Sequence, residues 1–433
     1  MKHIQIAIIL SFLLLPLSAY PLTLEEGLKI VTGSGRDVEI ARSDEEAAKG
    51  AVSLARSPWL PSVDLYGRET WLRYQPEAKF GSQTVPTAQD QFLTYGVKAT
   101  QILYDFGKTS SAIDAAQYGL KSREIETDRT RNQAALDFIL VYLDLLESEK
   151  LLRVATEEVT RYEAHKKDTE ARYNAGVITR NEVLQSDVTL ADSRQRLLTA
   201  ENLRSLRESK INSLLLKPLN DFVRPEEIQA SPATGLTLDE AWAGAEATSS
   251  RLKEMDARIS AKGENVKATQ AEYLPTLYVS GGYEYLENKY LVHQDNWSAI
   301  AGVSINLFSG GASSSKTGIA RAELRSLKLS REKLLDGVRL EVKSAYLDLQ
   351  SSERKIDVTR TAVAQAEENL RLQRLRYKEG VGTTTEVLDA VTLLTTAESN
   401  SWKALYGFKR AEAVLLNAAG KDLVELYGTS SAK

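Results

Sequence analysis

The sequence predicts a mainly α protein with a membrane β-barrel, an internally duplicated chain that closes its barrel only by assembling with copies of itself. Three observations carry that prediction. Segments of the first half recur 204 to 214 residues later, two proline-free stretches keep a seven-residue apolar seam, and short alternating segments lie between them.

The chain opens with Met1-Lys2-His3 and an apolar run from Ile4 to Leu17, broken only by Gln5, Ser11 and Pro16 and followed by the small Ala19. This is the pattern of a secretory signal peptide over residues 1–19. The run is shorter than the roughly 20 residues a spanning helix needs, and no second apolar run of that length follows. Membrane spans of the exported chain are therefore expected to be strands. Over 433 residues the formal charge is −4, which gives no sign of a nucleic-acid binder, and 42% apolar content can fill a core. With no cysteine, disulfides, thiolate metal sites and cysteine nucleophiles are excluded.

The duplication sets the organisation. "LTLEEGL" from Leu22 returns as "LTLDEAW" from Leu236, and "WLPSVDLYG" from Trp59 as "YLPTLYVSG" from Tyr273, both 214 residues on. "LYDFG" at Leu103 then aligns with "LFSGG" at Leu307 and "YLDL" at Tyr142 with "YLDL" at Tyr346, now 204 residues on, so the first copy has the longer loop between Pro61 and Leu103. The expected layout is repeat 1 over 20–216, a linker of the equatorial region over 217–235 holding Pro218, Pro225 and Pro232, repeat 2 over 236–420, and a tail over 421–433.

Residues 87–217 and 276–433 contain no proline, so very long helices can run there. In the second copy Val338, Val342, Ala345, Leu349, Ser352, Ile356, Thr359, Val363, Ala366, Leu370, Gln373 and Tyr377 alternate by four and three, and the first copy keeps the same register from Ala134 to Tyr173. Such a seam packs helices against partners as a coiled coil. Long helices are expected at about 108–174 and 312–378, each roughly 100 Å long at 1.5 Å per residue, with return helices at about 180–216 and 384–419. Helical segments at about 22–56 and 237–272 would cover the rest of their length.

Between the helices, Trp297, Ala299, Ala301, Val303, Ile305 and Leu307 interleave with Ser298, Gly302, Ser304 and Asn306, and Leu277, Val279, Tyr283 and Tyr285 oppose Ser280, Gly282 and Glu284. Period-two alternation with aromatics near the ends is the mark of an outer-membrane barrel strand. Strands are expected at about 61–75, 91–104, 275–287 and 296–308. Four strands cannot close a membrane barrel, since about eight is the smallest closed number. Three copies would supply twelve, together with a ring of helices. A soluble periplasmic coiled-coil scaffold explains the seam but not the strand from Trp297 to Leu307.

"RYNAGVIT" at Arg172–Thr179 and "RYKEGVGT" at Arg376–Thr383 end the long helices. Gly176 and Gly380 suit the left-handed position, and Thr179 with Glu182, like Thr383 with Glu386, has the spacing of a capping box. Gly310 to Thr317 comes near a phosphate-binding loop, but it lacks the final glycine and is explained as a strand-to-helix junction. Of the three histidines, His165 and His293 are expected at the surface. No triad, zinc spacing or paired carboxylates on a cleft stand out, so no enzyme, metal or cofactor site is predicted.

With "LTLEE" at the start, "LP" entering each first strand, and twin "RY...G" turns followed by "EVL" and "EVLDA", the chain resembles the TolC-type outer-membrane efflux family over nearly all of its exported length. The resemblance implies a homotrimer, with a 12-stranded β-barrel in outer-membrane lipid joined to a 12-helix periplasmic α-barrel. It implies an exit channel for a tripartite efflux pump or type I secretion system, fed by a periplasmic adaptor (membrane fusion) protein and an inner-membrane pump. Adaptor contact falls on Gly176, Val177, Gly380 and Val381 at the tips, an acidic gate ring on Glu386 and Asp389, and a gate-closing tie on Tyr377 with Glu182. The family's usual tip arginine is Gly382 here, which leaves an entrance held shut more loosely, or by Arg180 from the other hairpin.

Overall fold

The computed structural model describes residues 21–228 and 235–428, so the expected signal peptide and part of the linker and tail lie outside the described residues. The chain divides into two compact units: Met1–Val38, Arg131–Ala241 and Glu341–Lys433 form one, and Glu39–Thr130 with Trp242–Leu340 form the other.

Repeat 1 contributes α1 (Leu24–Ser34), α2 (Arg36–Arg56), β1 (Ser62–Trp71), β2 (Glu77–Phe80), β3 (Gln83–Pro86), β4 (Gln91–Tyr104), α3 (Lys108–Asn174) and α4 (Arg180–Leu214). Repeat 2 contributes α5 (Leu238–Thr248), α6 (Ser250–Ala271), β5 (Thr276–Leu286), β6 (Asp295–Ser304), α7 (Ala312–Lys378) and α8 (Thr384–Ala418), and a last helix, α9, spans Leu423–Gly428. Each entry segment is two helices rather than one. Gly35 leaves the helical region between α1 and α2, and Ser249 does so between α5 and α6. A Thr23 and Glu26 capping box starts α1.

In the strand-bearing unit one sheet runs in the order β1-β4-β5-β6, antiparallel throughout, with β1 and β6 as its edges. The register puts Leu65 opposite Val97, Val97 opposite Tyr283 and Tyr283 opposite Trp297, so one face collects Leu65, Val97, Val279, Tyr283, Trp297, Ala301 and Val303. The other face carries Asp64, Tyr66, Lys98, Ser280, Glu284 and Ser298. Tyr66 reaches across Gly96 to donate to Glu284 at 2.6 Å, and a Cβ built at Gly96 would lie 2.9 Å from the Tyr66 hydroxyl. Tyr278 lies over Gly302 in the same way, 2.6 Å from where a Cβ would be. On this face glycines let tyrosines lie along the wall.

Two strand boundaries differ from expectation. Alternation continues to Leu307, but β6 stops at Ser304 because its partner β5 begins at Thr276, directly opposite. Likewise β1 stops at Trp71, opposite the first residue of β4, and the chain leaves for the β2–β3 hairpin. That hairpin occupies the longer first-copy loop, and nothing in the residue pattern announced it.

In the other unit, a core gathers Leu28 and Val31 of α1, Phe138, Ile139, Tyr142 and Leu146 of α3, Ile211 of α4, Tyr406 of α8 and Leu423 of α9. The expected tail is thus a helix that closes a core. Tyr142 is fully buried, donates to the Leu22 carbonyl at 2.8 Å and receives the Glu226 amide at 2.9 Å, which pins the linker to α3. Burial pushes its hydroxyl pKa far above the usual value.

Candidate functional site at the hairpin tips

Each long helix ends in a left-handed glycine, Gly176 at φ +76° and Gly380 at φ +78°. The amides of Val177 and Val381 close back on the carbonyls of Arg172 and Arg376 at 2.9 and 3.0 Å, satisfying carbonyls the helix end leaves free. The two valines project from the turns, 65% and 69% exposed.

A second core holds the two hairpins together, with Val159 and Tyr162 of α3, Leu190 of α4, Ala366, Leu370 and Tyr377 of α7, and Val387, Val391 and Leu394 of α8. The seam supplies much of it: Ala366, Leu370 and Tyr377 are buried, and Gln373 is half-buried. Polar links run beside it. Arg161 grips Glu398 with two nitrogens at 2.7 and 2.8 Å, which raises the guanidinium's pKa. The Tyr162 hydroxyl lies 2.8 Å from Thr392 Oγ1.

The two turns use their threonine and glutamate differently. Thr383 and Glu386 form the full box, with the Thr383 amide donating to Glu386 at 2.8 Å. That bond holds the Glu386 carboxyl below its usual pKa, helped by Arg376 at 3.5 Å. Thr179 makes no side-chain cap, so the box expected there does not form. Its glutamate is taken by the other hairpin: Thr384 donates to Glu182 Oε2 at 2.8 Å. Thr384 Oγ1 also lies 3.3 Å from the Tyr377 hydroxyl. Thr384 has one hydroxyl proton, which it shares between the Glu182 carboxylate and the more distant Tyr377 oxygen. Tyr377 and Glu182 are joined through Thr384, a residue the sequence reading missed.

Glu386 is half-buried and Asp389, one turn on, is exposed. Gly382 cannot accept a side chain without a shift, since a Cβ would lie 2.9 Å from the Tyr377 nitrogen. At the turns themselves, Arg172 crosses between hairpins, donating to the Lys378 carbonyl at 2.8 Å and lying 4.6 Å over the Tyr377 ring. Arg180 makes no such contact among the described residues. His165, expected at the surface, is 5% exposed beneath this cluster, its ring centroid 5.1 Å from that of Tyr377. Its heptad neighbours Tyr162 and Thr169 are buried too, and that periodicity was the available signal. His293 is exposed.

Two long helical hairpins, a sheet with one apolar face, and no helix among the described residues long and apolar enough to cross a membrane define a strand-type membrane channel subunit with helical extensions. The chain belongs to the outer membrane efflux protein family, whose model matches residues 32–215 and 244–421, one match in each repeat. It is 24% identical to the outer membrane protein TolC of Vibrio cholerae over 399 residues, covering 87% of this chain and 86% of that one. It is 22% identical to the outer membrane efflux protein BepC of Brucella suis over 348 residues, covering 78% and 75%. Among solved structures, the outer membrane protein VceC of Vibrio cholerae superposes with a TM-score of 0.78 at 18% identity, covering 92% of this chain and 96% of that one. The outer-membrane channel OprN gives 0.79 at 16%, covering 93% and 90%. The protein is an outer-membrane exit channel with its helical part in the periplasm.

Proposed function

We propose that three copies pool their sheets into one twelve-stranded barrel and their hairpins into one twelve-helix periplasmic tunnel. The duct completes a tripartite efflux pump or type I secretion system, taking cargo from an inner-membrane pump through a periplasmic adaptor. The observation that carries this reading is the four-stranded sheet with one apolar face and two unpaired edges, β1 and β6. Such a sheet in lipid leaves backbone groups without partners, and identical edges on identical subunits are the available cover. Light scattering of the detergent-extracted protein should give three chains per particle; a lone subunit would sink the proposal.

At the hairpin tips, Val177 and Val381 beside Gly176 and Gly380 offer the adaptor an apolar contact that folding does not require. Tyr377, Thr384 and Glu182 tie the hairpins of one subunit together. Asp389, exposed and unneeded for capping, is the stronger member of the acidic gate with Glu386. Three copies of that carboxylate at a constriction favour cations. In planar bilayers Asp389→Asn should lower cation selectivity, and unchanged reversal potentials would remove Asp389 from the gate.

A further inference from the structure

His165 is the one buried imidazole among the described residues, and nothing in its neighbourhood satisfies it. Its Nε2 is enclosed and has no hydrogen-bond partner. Burial drives its pKa down to about 4, so at neutral pH the ring is uncharged. The groups that face it are Asp168 and Arg172 from α3, Glu182 from α4, and Arg374 and Tyr377 from α7. Glu182 is already engaged by Thr384, and Arg172 and Arg374 are cations. A second proton on this ring would place a charge in a desolvated site where two guanidiniums repel it, and the Asp168 and Glu182 carboxylates offset only part of that cost. The ring's way out is at hand: a groove of about 500 Å³ between α3 and α7, lined by His165, Asp168, Arg172, Arg374 and Lys378.

We infer that His165 is a positioning residue for the entrance: its neutral ring supports Tyr377, and its protonation withdraws that support and loosens the hairpin pair. The inference rests on the assignment of Tyr377 to the closing tie. The imidazole packs against the tyrosine ring, the tyrosine hydroxyl accepts from Thr384, and Thr384 also donates to Glu182 of the other hairpin. A charged imidazole that swings into the groove leaves a gap under the ring at the start of that chain. The sign follows from the two pKa values. With a folded value near 4 and a free value of 6.5, the tied form loses stability as pH falls through that window, because the untied form binds the proton first.

The test is single-channel conductance of the purified oligomer in planar bilayers at pH 7.5 and pH 4.5. The unaltered protein should conduct several-fold more at pH 4.5. His165→Phe, which keeps a flat ring and cannot titrate, should hold the low value at both pH values. His165→Ala, which removes the ring, should hold the higher value at both. Titration of the acidic ring works in the opposite direction, since neutral carboxyls draw fewer cations. A pH response in His165→Phe equal to that of the parent overturns the inference and leaves the tie intact. If Tyr377→Phe conducts like the parent at pH 7.5, the tie itself is wrong and the inference falls with it. Thermal melts of both His165 variants by circular dichroism identify any variant that has not folded, and His165→Gln then serves as the non-titrating replacement.

Discussion

The two hairpin turns are near copies in sequence and differ in the use of one carboxylate. Thr383 and Glu386 satisfy the start of α8 by themselves. Thr179 and Glu182 have the same spacing, yet Thr179 leaves α4 uncapped while Glu182 serves the neighbouring hairpin. Local spacing fixes where the chain turns, whereas the partner of a charged side chain is decided by what packs beside it. A single hydrogen bond from Thr384 to an ionised oxygen is worth more than a cap that water can replace.

The same divergence between copies appears in the core, and there the expected effects are largest. A Cβ on Gly27 would lie 1.9 Å from a Phe138 ring carbon, whereas the second copy has Ala241 and Val342 at the matching positions, both fully buried. Gly27→Ala should therefore destabilise the protein by about 2 kcal/mol or more through overpacking. Adding Phe138→Val reproduces the pair of the second copy and should recover most of that loss in urea unfolding followed by circular dichroism. If the two substitutions simply add, the copies do not balance volume in this way.

Caps come next. Thr383→Ala should cost about 1 kcal/mol, while Thr179→Ala should cost a few tenths at most, because it has no cap bond to lose. Equal losses in the two melts would erase the distinction between the turns. The smallest effect is that of pH on the intact box. The Glu386 carboxyl is held below its usual value of 4.5, so its contribution is complete above that pH and disappears as pH falls through the depressed value. Amide protection at the start of α8 should drop over that range in the parent and change little in Thr383→Ala.

What the sequence made legible followed from periodicity. The absence of proline and a seam from Val338 to Tyr377 located α7, and alternation around Trp297 located β6. Both patterns are repeated many times, so single exceptions do not hide them. Features set by one contact were not legible. The β2–β3 hairpin has no long pattern, α9 is too short for one, and Thr384 is one more threonine until Tyr377 and Glu182 are seen on either side of it. His165 was misplaced for a related reason: it stands beside the seam, three residues from Tyr162 and four from Thr169, and a polar residue there looks like a surface residue unless its spacing from both is read.

The unpaired strands at either end of the sheet constrain how the pore is made. In the proposed ring, an unfinished wall has two raw margins however many subunits have joined it, so each added subunit short of the last moves the defect without healing it. Partial rings are then as poorly solvated as the newly exported chain, and completed pores should accumulate with few detectable precursors.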